Sequence, residues 1–428
     1  PKPSGDPLEK LCSRPPDALR PISLANTDNK VIAMAFARTL GEVASRWCSG
    51  DQFGFIAGRS IWDAVMLFEA AALHLSRRCG DAGLVFIDFR AAFPSIRHGW
   101  IRKALMATGL PQSFVAAFLL LYTEVTAAIR FGNCPPASIP MLSGIRQGCP
   151  ASGAIFAICI DPLLRRIGSW LPSPWSWLTA YADDIAIALR GARLHLLELF
   201  DLIGEVEACT GLCINIAKSS VVPLWTTDLN AAVLEVQAMS PRFAELKVAD
   251  FFKHLGVLVG PGAVPTRWAA AFSKFLDRAL SIKAAGGGLS ESIRMYGTLA
   301  VTTLQYIGQF CSPPLAVRKI EARAIARITS SALYAFPVSL GSGLQEIGLR
   351  PGFTHIETMS KAAQIRAISS SKHLPTILAL TDVAADEVDD DTFLHDRWGE
   401  WRRVALTTGV RECHNRVAQS PSLAAVAP

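Results

Sequence analysis

The sequence predicts an α+β fold, with short strands set among helices, and three observations predict it. A short β-rich apolar run, Gly83 to Phe89, carries one carboxylate near its end. Two more apolar runs, Ser176 to Tyr181 and Ile185 to Leu189, flank Ala182-Asp183-Asp184 and read as a β-hairpin with acids at its tip. Elsewhere the apolar spacing is helical, above all beyond about residue 250.

Length and composition set the outer limits. With 428 residues, half of them hydrophobic and 18% charged, the chain can bury a large core and predicts two or three domains. No apolar stretch reaches the ~18 residues of a membrane span without a charge or a breaker. The longest, around Phe114 to Tyr122, is closed by Glu124 and reads as a buried helix, so no span is expected. The chain begins Pro-Lys-Pro-Ser-Gly, without Met or a signal pattern, which predicts a piece of a longer polyprotein. A net charge of +6 suits a polyanion partner yet fits many unrelated proteins. Ten cysteines include no Cys-x-x-Cys pair, and Cys209 and Cys213 lack a His or a second Cys pair nearby. A zinc site is not expected; reduced, buried thiols of a nuclear or cytoplasmic protein are.

Taken in order, Ile61 to Leu75 carries apolar residues at 61, 65, 68, 72 and 75, one helix face. After the run at 83–89, Trp100 to Ala107 and Ser113 to Ala128 are helical in pattern. Ser152 is placed to cap a helix running through Phe156 to Leu164, which Pro172-Ser173-Pro174 ends. In Arg267 to Lys283 an apolar stripe leaves Arg267, Lys274 and Arg278 on another face. Leu315 to Leu333 repeats the arrangement with Lys319, Arg323 and Arg327 spaced four apart. One such stripe reads as a solvated face; two in successive helices fit phosphate contact equally well. Residues 382–391 hold six acids and predict a solvated linker, and 420–428 a frayed end.

The chemistry concentrates in Tyr181-Ala182-Asp183-Asp184. Adjacent carboxylates at a tight turn repel one another, and a divalent cation relieves that repulsion. Asp-Asp is also common in plain surface turns. Asp88, closing an apolar strand, offers a third carboxylate for the same sheet edge. Three such ligands can hold two Mg²⁺ ions about 3.5–4 Å apart, one acting on an attacking 3′-hydroxyl and one on departing pyrophosphate.

The order of motifs resembles reverse transcriptases of non-LTR retrotransposons, with group II intron enzymes as near relatives. Arg20-Pro21-Ile22-Ser23-Leu24 with Lys30 resembles a fingers motif placed over the incoming triphosphate. Asp51-Gln52-Phe53-Gly54-Phe55, with Gly58-Arg59-Ser60 and Asp63, is similar to the next fingers motif, near the template. Phe86 to Phe93 resembles the first palm motif, and Gly144-Ile145-Arg146-Gln147-Gly148-Cys149-Pro150 the one packing around the nascent base pair. Tyr181 to Asp184 resembles the catalytic turn. Gly211-Leu212-Cys213-Ile214-Asn215 with Lys218 and Ser219 is similar to the motif after it, and Phe252-Lys253-His254-Leu255-Gly256 to the primer-grip hairpin.

The resemblance implies a right-hand polymerase: fingers and palm, with an antiparallel sheet, interleaved over 1–250; a helical thumb over 251–345; a helical extension over 346–428. It implies RNA-directed DNA synthesis from dNTPs on an RNA template with a DNA primer, with Asp88, Asp183 and Asp184 as catalytic metal ligands for Mg²⁺, or Mn²⁺ as substitute. Arg20 and Lys30 supply charge for phosphates or form surface ion pairs. Phe93 is a steric gate against a ribose 2′-hydroxyl, Gln147 a hydrogen-bonding group near the nucleotide, and Gly148 a point of close backbone approach. Lys218 protonates pyrophosphate or simply faces solvent, and His98 is structural. Arg59, Arg267, Lys274, Arg278, Lys319, Arg323 and Arg327 contact nucleic acid.

Pro94 stands where relatives commonly have Asp, Ala151 and Gly153 where they often have Leu and Pro, and Ala64 where Asn often follows Asp63. Since Pro is tolerated at a helix start, the Pro94 departure is compatible with activity. The rival readings are an intron maturase, an RNA-dependent RNA polymerase and an inactive nucleic-acid-binding remnant. The acidic run argues against the first and Phe93 against the second.

Overall fold

The computed structural model describes residues 25–129, 135–334, 354–381, 401 and 406–418. The chain opens with α1 (Thr27–Trp47) and α2 (Ile61–Arg78), then β1 (Gly83–Ile87) and the single turn α3 (Ala92–Ser95). Helices α4 (His98–Ala107) and α5 (Gln112–Leu119) lead to a hairpin of β2 (Thr126–Ile129) and β3 (Ala137–Pro140). Next come α6 (Ser152–Trp170), β4 (Trp177–Tyr181), β5 (Asp184–Leu189), α7 (Ala192–Thr210) and β6 (Ser220–Pro223). Helix α8 (Leu229–Met239) precedes β7 (Lys247–Val248) and the hairpin β8 (Phe252–His254) and β9 (Val257–Val259). The remainder is helical: α9 (Ala269–Ala284), α10 (Leu289–Met295), α11 (Thr302–Gly308) and α12 (Val317–Thr329), then α13 (Ile356–Ser370), α14 (Leu374–Thr381) and α15 (Leu406–Ala418).

Five strands form one sheet in the order β4-β5-β1-β6-β7, antiparallel except for the β6–β7 pair. The expected α+β class holds. Strand alternation divides the side chains of β1 and β5 between two cores. Val85, Ile87, Ile185, Ile187 and Leu189 face a core shared with α6 and α7, while Leu84, Phe86, Ala186 and Ala188 face one shared with α2. Coverage on both faces is why β1 reads as an unbroken apolar run rather than an alternating one.

Helix α2 is buried on nearly every side, not along the single stripe its spacing suggested. One side packs on β4 and β5, and the other takes α14 and α15. Ser60 caps it by accepting from the Asp63 N–H at 3.0 Å. A further core joins α2 to helices α9 to α15 through Trp62, Val65, Phe275, Tyr296, Ile325, Ile356, Ile377 and Leu406. The linker at 382–391, the end at 420–428 and the expected boundary near 345 lie outside the described residues.

Two local expectations fail. The helix expected over Ser113 to Ala128 stops at Leu119, and β2 begins at Thr126. Thr123, Val125 and Thr126 are β-branched, and Glu124 turns the chain at φ 52°. Ser152 is the first residue of α6 and does not cap it: its hydroxyl donates to the Arg146 carbonyl at 2.5 Å. Among the described residues the cysteines are all free, yet Cys209 is exposed and only Cys48, Cys79 and Cys159 are fully buried. No described helix is long and apolar enough to cross a membrane.

Candidate active site

The β4–β5 connection is a two-residue turn, because Tyr181 pairs with Asp184 and leaves Ala182 and Asp183 between them. Asp184 is thus the first residue of β5 rather than part of the loop. On the neighbouring strand the register ends at Ile87↔Ile185, and one further step brings Asp88 level with Asp184. Alternation puts both on the sheet face of Phe86 and Ala186. The β8–β9 hairpin covers that same face, with Phe252 stacked on Phe86 at 4.5 Å between ring centroids. Asp88 and Asp183 are half-buried and Asp184 is exposed.

The backbone of Asp88 is fixed from the side away from β5. Its N–H donates to Ser219 Oγ at 3.1 Å, and its carbonyl accepts from the Asn215 N–H at 2.8 Å. Ser219, fully buried, in turn donates to the Asn215 carbonyl at 2.9 Å. The residues around Asn215, Lys218 and Ser219 therefore serve first as a splint for the strand end. Lys218 itself is exposed beside that splint.

Phe93 is half-buried, stacked face to face on Phe156 at 4.2 Å and met edge-on by Phe55 at 6.1 Å. Two rings thus fix its orientation. Phe55 holds φ 62°, an outlier for a bulky side chain, and lies over Gly153, where a Cβ would come within 2.5 Å of its ring. Pro94 falls inside the first turn of α3, where helical N–H groups have no partner in the helix, so its missing donor costs nothing there. Its carbonyl accepts from Ser143 Oγ at 3.2 Å. Gly144 packs directly on it: with φ 94°, an added Cβ would lie 2.6 Å from the Pro94 oxygen. Ile145 N–H donates to the Phe93 carbonyl at 2.7 Å, tying the 144–150 segment to the Phe93 turn. Farther along that segment Gln147 is half-buried and Gly148 is exposed at φ 97°. His98 meets the Gly144 carbonyl at 3.2 Å and the Tyr122 ring edge-on, a structural position. Lys30 lies exposed on α1, which packs on α6; Arg20 lies outside the described residues.

Two of the arginines expected at nucleic acid are spent internally. The Arg59 guanidinium donates to the carbonyls of Ser49, Gln52 (2.6 Å) and Cys48 (3.2 Å), closing the loop after α1. Arg267 precedes α9 instead of lying on it, is 8% exposed, and pairs with the fully buried Glu69 of α2 at 2.7 Å. Burial pushes the Glu69 carboxyl upward, opposed by the Arg267 guanidinium. Neither arginine presents its charge to a phosphate. Lys274, Arg278, Lys319, Arg323 and Arg327 are all exposed, on α9 and α12, which pack together.

The hairpin turn at Leu255-Gly256 has both φ values positive, 47° and 85°, as a two-residue hairpin demands. Tyr306 of α11 donates its hydroxyl to the Leu255 carbonyl, so α11 holds the tip of the β8–β9 hairpin. His254 is sealed between Phe68 and Phe86, and burial lowers its pKa to about 3.

Among the described residues no three His, Cys, Asp or Glu side chains close into an all-protein metal cage. Asp88, Asp183 and Asp184 nonetheless supply hard oxygen donors on one sheet edge. That set suits an ion which takes its other ligands from substrate phosphates and water. What the spacing did not reveal is Gln52, fully buried, whose carboxamide contacts the backbone of Ala182 inside the turn.

The chain resembles known proteins over part of its length. It is 30% identical over 256 residues to a transposon TX1 protein of 149 kDa from Xenopus laevis, covering 58% of this chain and 19% of that one. It is 26% identical over 260 residues to the Pol polyprotein of a type-1 R2 retrotransposable element from Bradysia coprophila, covering 57% and 28%. The matched stretch thus spans under a third of those relatives' own length. Among solved structures, apo telomerase from Candida tropicalis aligns at a TM-score of 0.41 with 10% identity, over 54% of this chain and 44% of that one. The family model described as reverse transcriptase (RNA-dependent DNA polymerase) matches residues 1–258, and the chain belongs to that family.

Proposed function

We propose that this chain is the polymerase portion of a non-LTR retrotransposon protein and transfers nucleotides from dNTPs to a primer 3′-hydroxyl on an RNA template. The observation that carries this reading is the register that sets Asp88 level with Asp184, beside Asp183 in the turn, on the edge of an antiparallel sheet. The family uses divalent metals. Two Mg²⁺ ions held by the three carboxylates, with Mn²⁺ as substitute, would neutralise charge at the attacking hydroxyl and at the departing pyrophosphate.

The protein's own share is positioning. Ser219 and Asn215 hold the strand end that carries Asp88, and the tight turn holds Asp183 against Asp184. Phe93, braced by Phe156 and Phe55, presents a rigid wall that would collide with a ribose 2′-hydroxyl and so select dNTPs. Gln147 and Gly148, fastened to the Phe93 turn through Ile145 and Gly144, line the nucleotide's approach, with Lys218, Lys30 and Arg20 as phosphate partners. Lys274 and Arg278 on α9 and Lys319, Arg323 and Arg327 on α12 offer exposed charge to the primer–template backbone.

Primer extension on an RNA template with dNTPs and Mg²⁺ tests the reading. Wild type extends the primer and Asp183→Ala does not; equal extension by both rules out the metal role of the turn. Phe93→Val admits rNTPs that wild type rejects, and unchanged discrimination removes the gate.

A further inference from the structure

We propose that Gln52 is a positioning residue for the catalytic turn: its buried carboxamide, clamped on Ala182, sets where Asp183 and Asp184 stand. The inference rests on the metal-binding role given to that turn above.

Ala182 occupies the left-handed region at φ 56° and is 6% exposed. As a loop residue it has no partner in the β4–β5 ladder, which pairs Tyr181 directly with Asp184. A buried peptide group in that position needs hydrogen bonds from elsewhere. Gln52 supplies both. Its Oε1 accepts from the Ala182 N–H at 2.8 Å and from the Gly54 N–H at 2.7 Å, and its Nε2 donates to the Ala182 carbonyl at 3.2 Å. One planar amide thus grips the residue before the two acids at both of its backbone groups.

The approach is enforced independently at Gly54. A Cβ there would lie 2.3 Å from the Ala182 nitrogen and 2.9 Å from the Tyr181 carbonyl carbon, so any larger residue displaces the turn. Residues 51–53 also run beside β4 as an added parallel segment. The Phe53 N–H donates to the Ala180 carbonyl at 2.7 Å, and the Ala180 N–H to the Asp51 carbonyl at 2.8 Å.

The clamp is itself anchored. Arg59 holds the carbonyls of Cys48, Ser49 and Gln52. The Ser49 N–H donates to Asp161 Oδ1 at 2.7 Å, and Arg165 Nε donates to Asp161 Oδ2 at 2.6 Å. Asp161 is fully buried in α6, so a continuous set of hydrogen bonds runs from α6 through the loop to the turn. This gives Arg59 a role in place of the phosphate contact its charge suggested.

Groups that orient metal ligands typically alter metal affinity or activity about 10–100-fold when replaced. The test uses Gln52→Met, which keeps the volume and removes all three hydrogen bonds, and Gly54→Ala, which keeps the amide and pushes on the turn. Mn²⁺ binding is followed by electron paramagnetic resonance, with Asp183→Ala as the control that defines the site. Both variants should lower the thermal midpoint, because buried backbone groups lose partners or are pushed. At a temperature where each is fully folded, both should weaken Asp183-dependent Mn²⁺ binding by at least about tenfold while keeping the primer–template affinity of wild type. In extension assays both should raise the Mg²⁺ concentration required. Wild-type Mn²⁺ affinity in both variants overturns the proposal. So does a loss confined to the unfolded fraction, or a wild type with no Asp183-dependent Mn²⁺ binding. A wild type that binds Mn²⁺ through Asp183 yet extends no primer defeats the polymerase reading and leaves the clamp standing.

Discussion

The sheet edge and the helices from α9 to α12 both gather charge, but they hold it in opposite ways. At the edge, neutral groups hold the backbone beside the acids: Ser219 and Asn215 at Asp88, Gln52 at Ala182. In the helices that follow, Arg267, just before α9, is sunk into a buried ion pair with α2, while Lys274, Arg278, Lys319, Arg323 and Arg327 stay exposed on α9 and α12. The difference separates two failures. Damage at the edge should remove chemistry and spare the fold, whereas damage at Arg267 should loosen the fold and reach chemistry only through it.

The largest effect expected outside the sheet edge therefore belongs to the Arg267–Glu69 pair. Arg267→Met leaves a carboxylate fully buried beside an apolar core, which costs about 3–5 kcal/mol of stability in urea denaturation. Adding Glu69→Leu to that variant removes the uncompensated charge and restores most of the loss. A single variant within about 1 kcal/mol of wild type would mean the pair does not fasten the start of α9 to α2.

That pair also marks where the sequence stops being readable. Arg267 shares a helical face with Lys274 and Arg278 on paper, but the helix begins two residues later, and its partner lies 198 positions away. Arg59 hides the same way: its charge is visible, the carbonyls that use it are not. Gln52 is harder still, since its 130-residue reach to Ala182 leaves no periodic trace. The strands were legible because β1 and the hairpin are short apolar runs bounded by acids and turns. The β2 strand was not, because the apolar run of α5 continues toward it without a breaker. Asp88, Asp183 and Asp184 stand out in the sequence because they are acids at the ends of apolar runs, and the register sets them on one sheet edge. The groups that hold them are ordinary polar residues, and only the fold brings those into place.

The next effect in size is at the exposed stripes. Lys274→Glu with Arg278→Glu on α9 should weaken primer–template binding by about 2–3 kcal/mol and reduce the salt dependence of log K by roughly one unit per lost phosphate contact. Stability should not change, in contrast to Arg267→Met. Unchanged affinity and slope would place both residues on a solvated face. The same comparison on Lys319, Arg323 and Arg327 decides whether α12 joins the footprint.

The smallest effect lies where the two regions meet. His254 is on β8, between Phe68 of α2 and Phe86 of the sheet, and burial lowers its pKa from 6.5 to about 3. The folded state keeps this imidazole neutral, while the unfolded chain takes up a proton as pH falls through 6.5. The stability it confers is complete above pH 6.5 and drains away as pH drops from there toward 3. Between pH 7 and pH 5 that amounts to about 2 kcal/mol. His254→Phe fills the same aromatic niche without a titrating group, and among the described residues Nε2 of His254 has no hydrogen-bond partner to lose. The variant should unfold at the same urea concentration as wild type near pH 7 and at a higher one near pH 5. Parallel pH profiles for the two proteins would show that His254 is protonated in the fold, and the hairpin that joins α11 to the sheet would then be wetter than its packing implies.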